Sequence, residues 1–361
     1  MKRLLLLVVA SALAVFATAA AAGAGSETAG AVYTLTNSPA GNAVAVFARA
    51  ADGSLTPAGT YATGGLGTGA GLGSQGSIVV SGDGRYVLAV NAASDTVSAF
   101  AADRDGLELL NTVPSGGDNP TSVTEHHGLV YVLNAGSGTI SGLALRKTGL
   151  TPLAGSTRAL SAGAAVPSQI QFSRHGSTLV VTERGSNTID TFAVDHGYAA
   201  APVSTPSTGA APFGSDFDNH DHLIVSDANA GPGESAATSY TLEDDGALSV
   251  VTGPVLTHEA AACWLVVSKD GRYAYTANAG SGSISRFTVA HDGSLALLGS
   301  TQLGATSHPL DETVSENGHF LYVLVDGLHE VQGFRIAHDG SLEPVASAGG
   351  LPAGAAGIAG R

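Results

Sequence analysis

The chain is short of the residues that staple or charge a protein. It has one cysteine, Cys263, among 361 residues, so no disulfide can close within it and no thiolate-based zinc site can form. Charged residues make up 12%, about half the usual share. Lysine occurs three times, and 30 acidic against 15 basic residues give a formal net charge of −15. Such a field repels phosphate backbones and anionic lipid heads, which excludes nucleic acid as a partner. No Gly-x-Ser-x-Gly elbow occurs, so a conventional serine hydrolase is not supported. Past residue 22 no run approaches the roughly 18 apolar residues a membrane helix needs, and past residue 30 no helical periodicity is found. What abounds is glycine, 49 residues without a Gly-x-y period, beside an apolar fraction of 44%. That combination predicts a well-filled core built from many short elements joined by tight turns.

The N-terminus predicts an address. Lys2-Arg3 precedes an apolar run from Leu4 to Phe16, and Ala19 to Ala22 offers small residues of the A-x-A type. This is the order of a secretory signal peptide, expected over 1–22, with an uncleaved membrane anchor as the rival reading. A flexible segment is expected over 23–30 and a single domain over 31–361, with no membrane span once the leader is cleaved.

That domain repeats. A short apolar strand ending in an aromatic or leucine recurs at Phe47, Phe100, Leu143, Phe192, Tyr240, Phe287 and Phe334, at spacings of 53, 43, 49, 48, 47 and 47 residues. Within one repeat, Ile78 to Leu110 holds four strand-like runs separated by turns such as Asp83-Gly84. Four antiparallel strands per repeat of about 48 residues match a β-propeller blade. The turn between strands three and four occurs seven times, at Gly53, Gly106, Gly149, Gly197, Gly246, Gly293 and Gly340. The turn between strands one and two occurs six times, at Gly84, Gly128, Gly176, near Asp221, and at Gly271 and Gly318. The first repeat therefore lacks an inner strand, and the C-terminal segment Pro352 to Ile358 is placed to supply it. The predicted fold class is all-β: a seven-bladed β-propeller closed by its C-terminal strand pairing into the first blade.

Ser81-Gly82-Asp83-Gly84-Arg85-Tyr86 and Ser268-Lys269-Asp270-Gly271-Arg272-Tyr273 share one phrase. Asn134 to Ser141 and Asn278 to Ser285 share another, Asn-Ala-Gly-Ser-Gly-x-Ile-Ser. Together they resemble the lactonase family of seven-bladed propellers, which includes propeller-type 6-phosphogluconolactonases and 3-carboxymuconate lactonizing enzymes. The resemblance spans the chain after its leader. It implies a lactonase-like hydrolase or cycloisomerase with Arg, His and Glu around the central channel. Where the family carries Pro-Arg-His before an inner strand, this chain reads Val166-Pro167-Ser168-Gln169, followed by Thr182-Glu183-Arg184 after the next strand.

Candidate catalytic residues follow. Glu183 and Arg184 stand where other repeats have Asn-Ala, and Arg184 could stabilise an oxyanion. His308 lies three residues before Asp311 and four before Glu312, as a carboxylate-tuned general base would. Candidate binding residues are Asp311, Gln169, Asp227, Asn134 and Asn278. The last three belong to a set ending each second strand, whose rival role is to bond the backbone of their own turns. His220-Asp221-His222 has metal-like spacing but falls at a turn, so no metal is expected, nor any cofactor. Gly64 to Gly76 reads as a flexible inter-blade loop.

Two functions remain open. One is a secreted lactonase-like propeller hydrolysing a small neutral or weakly charged lactone in its central channel. The other is a non-catalytic propeller presenting its rim to a cell-envelope partner or small ligand. In either case the expected state is a monomer, and 6-phosphogluconolactone, a phosphosugar needing several cations to hold it, is not the expected substrate.

Overall fold

The computed structural model describes residues 28–103, 106–163 and 165–361. The expected leader at 1–22 and residues 23–27 lie outside the described residues. From Thr28 onward the chain is already strand, three residues earlier than the expected start of the domain.

Seven antiparallel sheets follow one another around a central channel. Blade two shows the plan: Ile78–Val80, Tyr86–Asn91, Thr96–Ala102 and Leu107–Pro114 lie in that order from the channel outward. Blades three to seven begin at Pro120, Pro167, Pro212, Ala262 and Pro309. In blades three and four the outer strand is broken in two, each piece pairing with the third strand. A single 3₁₀ turn, Asp326–Leu328, is the one helical element among the described residues.

The core lies between blades rather than beneath one face. Second strands are covered on both faces, so they read as unbroken apolar runs: Val87, Leu88, Ala89 and Val90 are wholly buried, as are Leu321 to Val325. The recurring aromatics of the third strands, Phe100, Phe192, Tyr240 and Phe287, fill the gaps between neighbouring sheets. All of the turn glycines read from the sequence have positive φ, and in blade five Asp221 takes the same left-handed conformation at φ 65°. Aspartate tolerates that region better than most residues with a Cβ, which is why the turn survives without its glycine.

The ring closes as expected. Ala356–Gly360 pairs antiparallel with Thr28–Leu35, joining Val32 to Gly360 and Thr34 to Ile358, and completes blade one from its channel side. Thr34 Oγ1 donates to the Gly357 carbonyl at 2.7 Å.

A second repeated device shapes the channel. The residue before five inner strands is left-handed: Asn119, Val166, Ala211, Ala261 and His308 have φ between 42° and 59°. A bulge follows each within the first residues of the strand. Bulges re-aim side chains at strand ends, and here they act on the strands that line the axis.

Candidate functional site in the central channel

The glycine-rich segment expected to be a flexible loop is instead a plug, and the correction matters for the site. Gly73 to Gly76 crosses the axis and bonds to inner strands on all sides. Ser74 Oγ donates to the Thr121 carbonyl of blade three at 2.8 Å, and the Gln75 amide donates to the Ser168 carbonyl of blade four at 2.9 Å. The Gln75 side chain donates to the Leu265 carbonyl at 2.7 Å and accepts from the Leu265 amide at 2.9 Å, in blade six. Trp264 Nε1 donates to the Ser74 carbonyl at 2.9 Å. In blade five Gly214 has no room for a Cβ, which would run into Gln75 Oε1. Backbone freedom in this stretch lets the chain thread a narrow space, a role composition alone does not separate from flexibility. Replacing Gln75 with alanine strands two buried backbone groups of Leu265, so urea unfolding should show a loss of about 2–3 kcal/mol. An unchanged midpoint would mean that the plug is not a staple.

The plug divides the channel. On the side of the Asp-Gly turns lies a cavity of about 310 Å³, with Gln169, Gln171, Asp216, Asp311 and Glu312 on its wall and Lys269 nearby. Gln169 is held by blade five: its Oε1 accepts from the Ser215 amide at 2.5 Å and its Nε2 donates to the Ser215 carbonyl at 3.1 Å. Gln171 donates to Asp216 at 2.9 Å, and the Val267 amide donates to the other Asp216 oxygen at 2.9 Å. These bonds leave both glutamines and Asp216 rigid.

Asp311 and Glu312 differ. The bulge after Pro309 brings both onto the cavity wall, and each is 2% exposed. Asp311 accepts from the plug amide of Gly76 at 3.2 Å and from the Glu312 amide at 3.0 Å. Burial pushes its carboxyl up to about 7 against these amides. Neither carboxyl oxygen of Glu312 meets a donor in full hydrogen-bond geometry, and the Ala277 amide is the one backbone donor close enough to oppose the rise in its proton affinity. Burial and then the charge of Asp311 hold Glu312 well above the usual carboxylate range. Two adjacent carboxyls of unlike proton affinity face one small cavity.

The other candidates lie elsewhere. His308 is exposed on the rim beyond Pro309, because the left-handed turn at φ 45° and the bulge send the following carboxylates into the channel without it. Arg184 sits on the opposite side of the plug, at a cleft between blades three and four. Glu183 is fully buried inside blade four, near Asp190. Of the residues singled out from sequence, Asp311 and Gln169 share the cavity, while Glu183, Arg184 and His308 do not meet.

Asn134, Asn278 and Asp227 are buried within their blades and line neither cavity nor cleft. Asn134 Nδ2 donates to Ser141 Oγ at 3.2 Å, and Asn278 Nδ2 to Ser285 Oγ at 2.9 Å. Thr238 Oγ1 donates to Asp227 Oδ2 at 2.6 Å. Each is a clasp from the second strand to the third. His222 Nδ1 lies 2.8 Å from Asp218 Oδ2, and among the described residues no group of three His, Cys, Asp or Glu is placed to hold a metal ion.

Sheet plan, closure and channel define a seven-bladed propeller with a ligand-sized axial cavity. The profile of the family described as "Lactonase, 7-bladed beta-propeller" matches residues 33–166 and 234–356, and the chain belongs to that family. No curated protein matches the sequence. Among solved structures, a candidate 6-phosphogluconolactonase of Bacteroides uniformis is 22% identical, with 92% of this chain and 99% of that one covered at a TM-score of 0.74. The periplasmic gluconolactonase of Pseudomonas aeruginosa is 18% identical, with 90% and 98% covered at 0.72. At these identities the likeness carries the fold.

Proposed function

We propose that this chain is an exported lactonase that opens a small neutral or weakly charged lactone in the cavity beside Asp311 and Glu312. The observation that carries the reading is Glu312, buried on the cavity wall with neither oxygen in a well-formed hydrogen bond. A buried polar group without a partner is costly, and a ligand that bonds it recovers that cost. Two carboxyls with proton affinities pushed apart can divide acid and base work between them. Asp311, ionised near neutrality, takes a proton from water as the water oxygen attacks the lactone carbonyl carbon. The ring acyl C–O bond then breaks, and protonated Glu312 gives its proton to the departing ring oxygen. The product is an open hydroxy acid, and the proton held by Asp311 restores Glu312. A cavity of about 310 Å³ lies at the small end of ligand sites, which suits a single ring. The two carboxyls and the net charge of −15 both disfavour a phosphosugar. The family supports the activity class, and the leader-like order of residues 1–22 supports export.

The test is hydrolysis of a panel of neutral γ- and δ-lactones, with gluconolactone and 6-phosphogluconolactone beside them. At least one neutral lactone should open faster than its spontaneous rate, with the phosphosugar the slower of the last pair. Glu312→Gln should cut that rate about 100-fold or more while leaving the urea midpoint no lower. Activity should rise with pH through about 7, as Asp311 ionises, and fall at higher pH as Glu312 loses its proton. Activity that survives both Glu312→Gln and Asp311→Asn would overturn the assignment. A silent panel would favour a binding propeller instead.

A further inference from the structure

We propose that the cleft between blades three and four, on the far side of the plug from the axial cavity, binds a small apolar monocarboxylate through Arg184. The cleft holds about 540 Å³, with Leu72, Leu160, Ala165, Val166 and Pro167 as apolar wall and Asn119, Thr121 and Ser137 as polar neighbours. Arg184 is the one cationic side chain among its lining residues.

The guanidinium is placed and incompletely used. Nη1 donates to the Gly73 carbonyl at 2.8 Å, and the group lies 5.2 Å from the centre of the Phe213 ring. Gly73, left-handed at φ 59°, leaves a gap that a Cβ would narrow to 3.0 Å from Nη2. Among the described residues no carboxylate pairs with Arg184, and that single bond is its only one. Arg85 and Arg272 instead fold back on Asp83 and Asp270, and Arg286 reaches Asp339. Half-burial without a counter-ion lowers the proton affinity of Arg184. An anion in the cleft would repair that deficit.

The fork of a guanidinium matches a carboxylate, with two parallel N–H donors for two oxygens. The wall selects what the carboxylate is attached to. A bare phosphate or sulfate gains nothing from leucine, valine and proline, whereas an alkyl or aryl body buries its surface there. This site does not depend on the lactonase reading, because it concerns equilibrium binding across the plug from Asp311 and Glu312.

Calorimetric titration of the intact protein with hexanoate, hexanamide and inorganic phosphate tests the inference. Hexanoate should bind, with hexanamide and phosphate each at least about 10-fold weaker, as expected when a charge-assisted pair and an apolar body are both required. Arg184→Gln should weaken hexanoate about 10-fold or more, and Arg184→Lys should recover only part of the loss. Ala162→Trp, which adds bulk to the cleft wall, should block hexanoate and leave lactone hydrolysis unchanged. Equal binding of acid and amide, or hexanoate binding indifferent to both Arg184→Gln and Ala162→Trp, would overturn the site. Loss of hydrolysis in Glu312→Gln with hexanoate binding intact would show the two sites to be separate.

Discussion

Removing residues 352–361 should unfold the ring rather than trim it. The deletion takes the innermost strand from blade one, including the pairs Thr34 to Ile358 and Val32 to Gly360. Ile358, Ala359, Ala356 and Ala355 are all at most 6% exposed, and Ile358 packs with Val32, Phe47 and Tyr322 in the core shared by blades one and seven. Burying one isoleucine contributes about 1.5–3 kcal/mol, and the alanines and ladder bonds add to it. The strand next to it, Thr28–Leu35, would become a bare edge beside an open apolar face. The expected loss is at least about 5 kcal/mol, comparable with the whole stability of many domains. Circular dichroism melts and size exclusion of the truncated chain should therefore show no cooperative transition, or an aggregate. A truncated protein melting within a few degrees of the parent would show that closure contributes little. Ile358→Asp keeps the backbone and buries a charge beside Asp311, so it should fail in the same direction with a smaller loss.

The fold was legible because a propeller writes itself repeatedly. Each turn from strand one to two or from three to four needed a residue at positive φ, and glycine or aspartate stood at every such place, so strand boundaries could be read from punctuation. The missing turn in the first repeat located the closing strand for the same reason. The site was harder to read, because it depends on facing rather than on position. His308 and Asp311 are three residues apart, a spacing that says nothing about a strand interrupted by a left-handed residue and a bulge. The five repeated bulges carry no shared residue type; Asn119, Val166, Ala211, Ala261 and His308 precede them. The Pro that follows four of these residues was the available signal. Asn134 and Asn278 end strands on the expected face, yet their side chains turn to serines on the next strand. A serine two positions along each third strand, Ser141 and Ser285, was the clue to a clasp. The plug could not be read at all, since Gln75 meets Leu265 across 190 residues.

Blade four should make the protein lose stability as pH rises. Where blades three and six clasp Asn to Ser, blade four sets Glu183 against Asp190, both wholly buried. Ser186 donates to one oxygen of Glu183 at 2.8 Å, and the Ser161 amide donates to one oxygen of Asp190 at 2.7 Å. Glu183 Oε1 and Asp190 Oδ1 find no other donor, so a proton on Glu183 supplies the bond between the two carboxyls. Burial first, then that bond and the charge of Asp190, push Glu183 from 4.5 up to about 8. Between those values the folded protein keeps a proton that the unfolded chain has released. Its contribution is complete below about pH 4.5 and gone once pH passes about 8, the reverse of an ordinary paired carboxylate. A shift of this size corresponds to a loss on the order of 5 kcal/mol across the window. Asp227 and Asp311, both raised to about 7, act in the same direction, so the informative quantity is a difference between variants. Glu183→Gln retains a donor for Asp190 without a titrating proton. Urea midpoints at pH 5 and pH 8.5 should fall steeply in the parent and visibly less in Glu183→Gln, with the variant the more stable of the two at pH 8.5. Parallel slopes in the two proteins would mean that Glu183 and Asp190 do not share a proton in the folded blade.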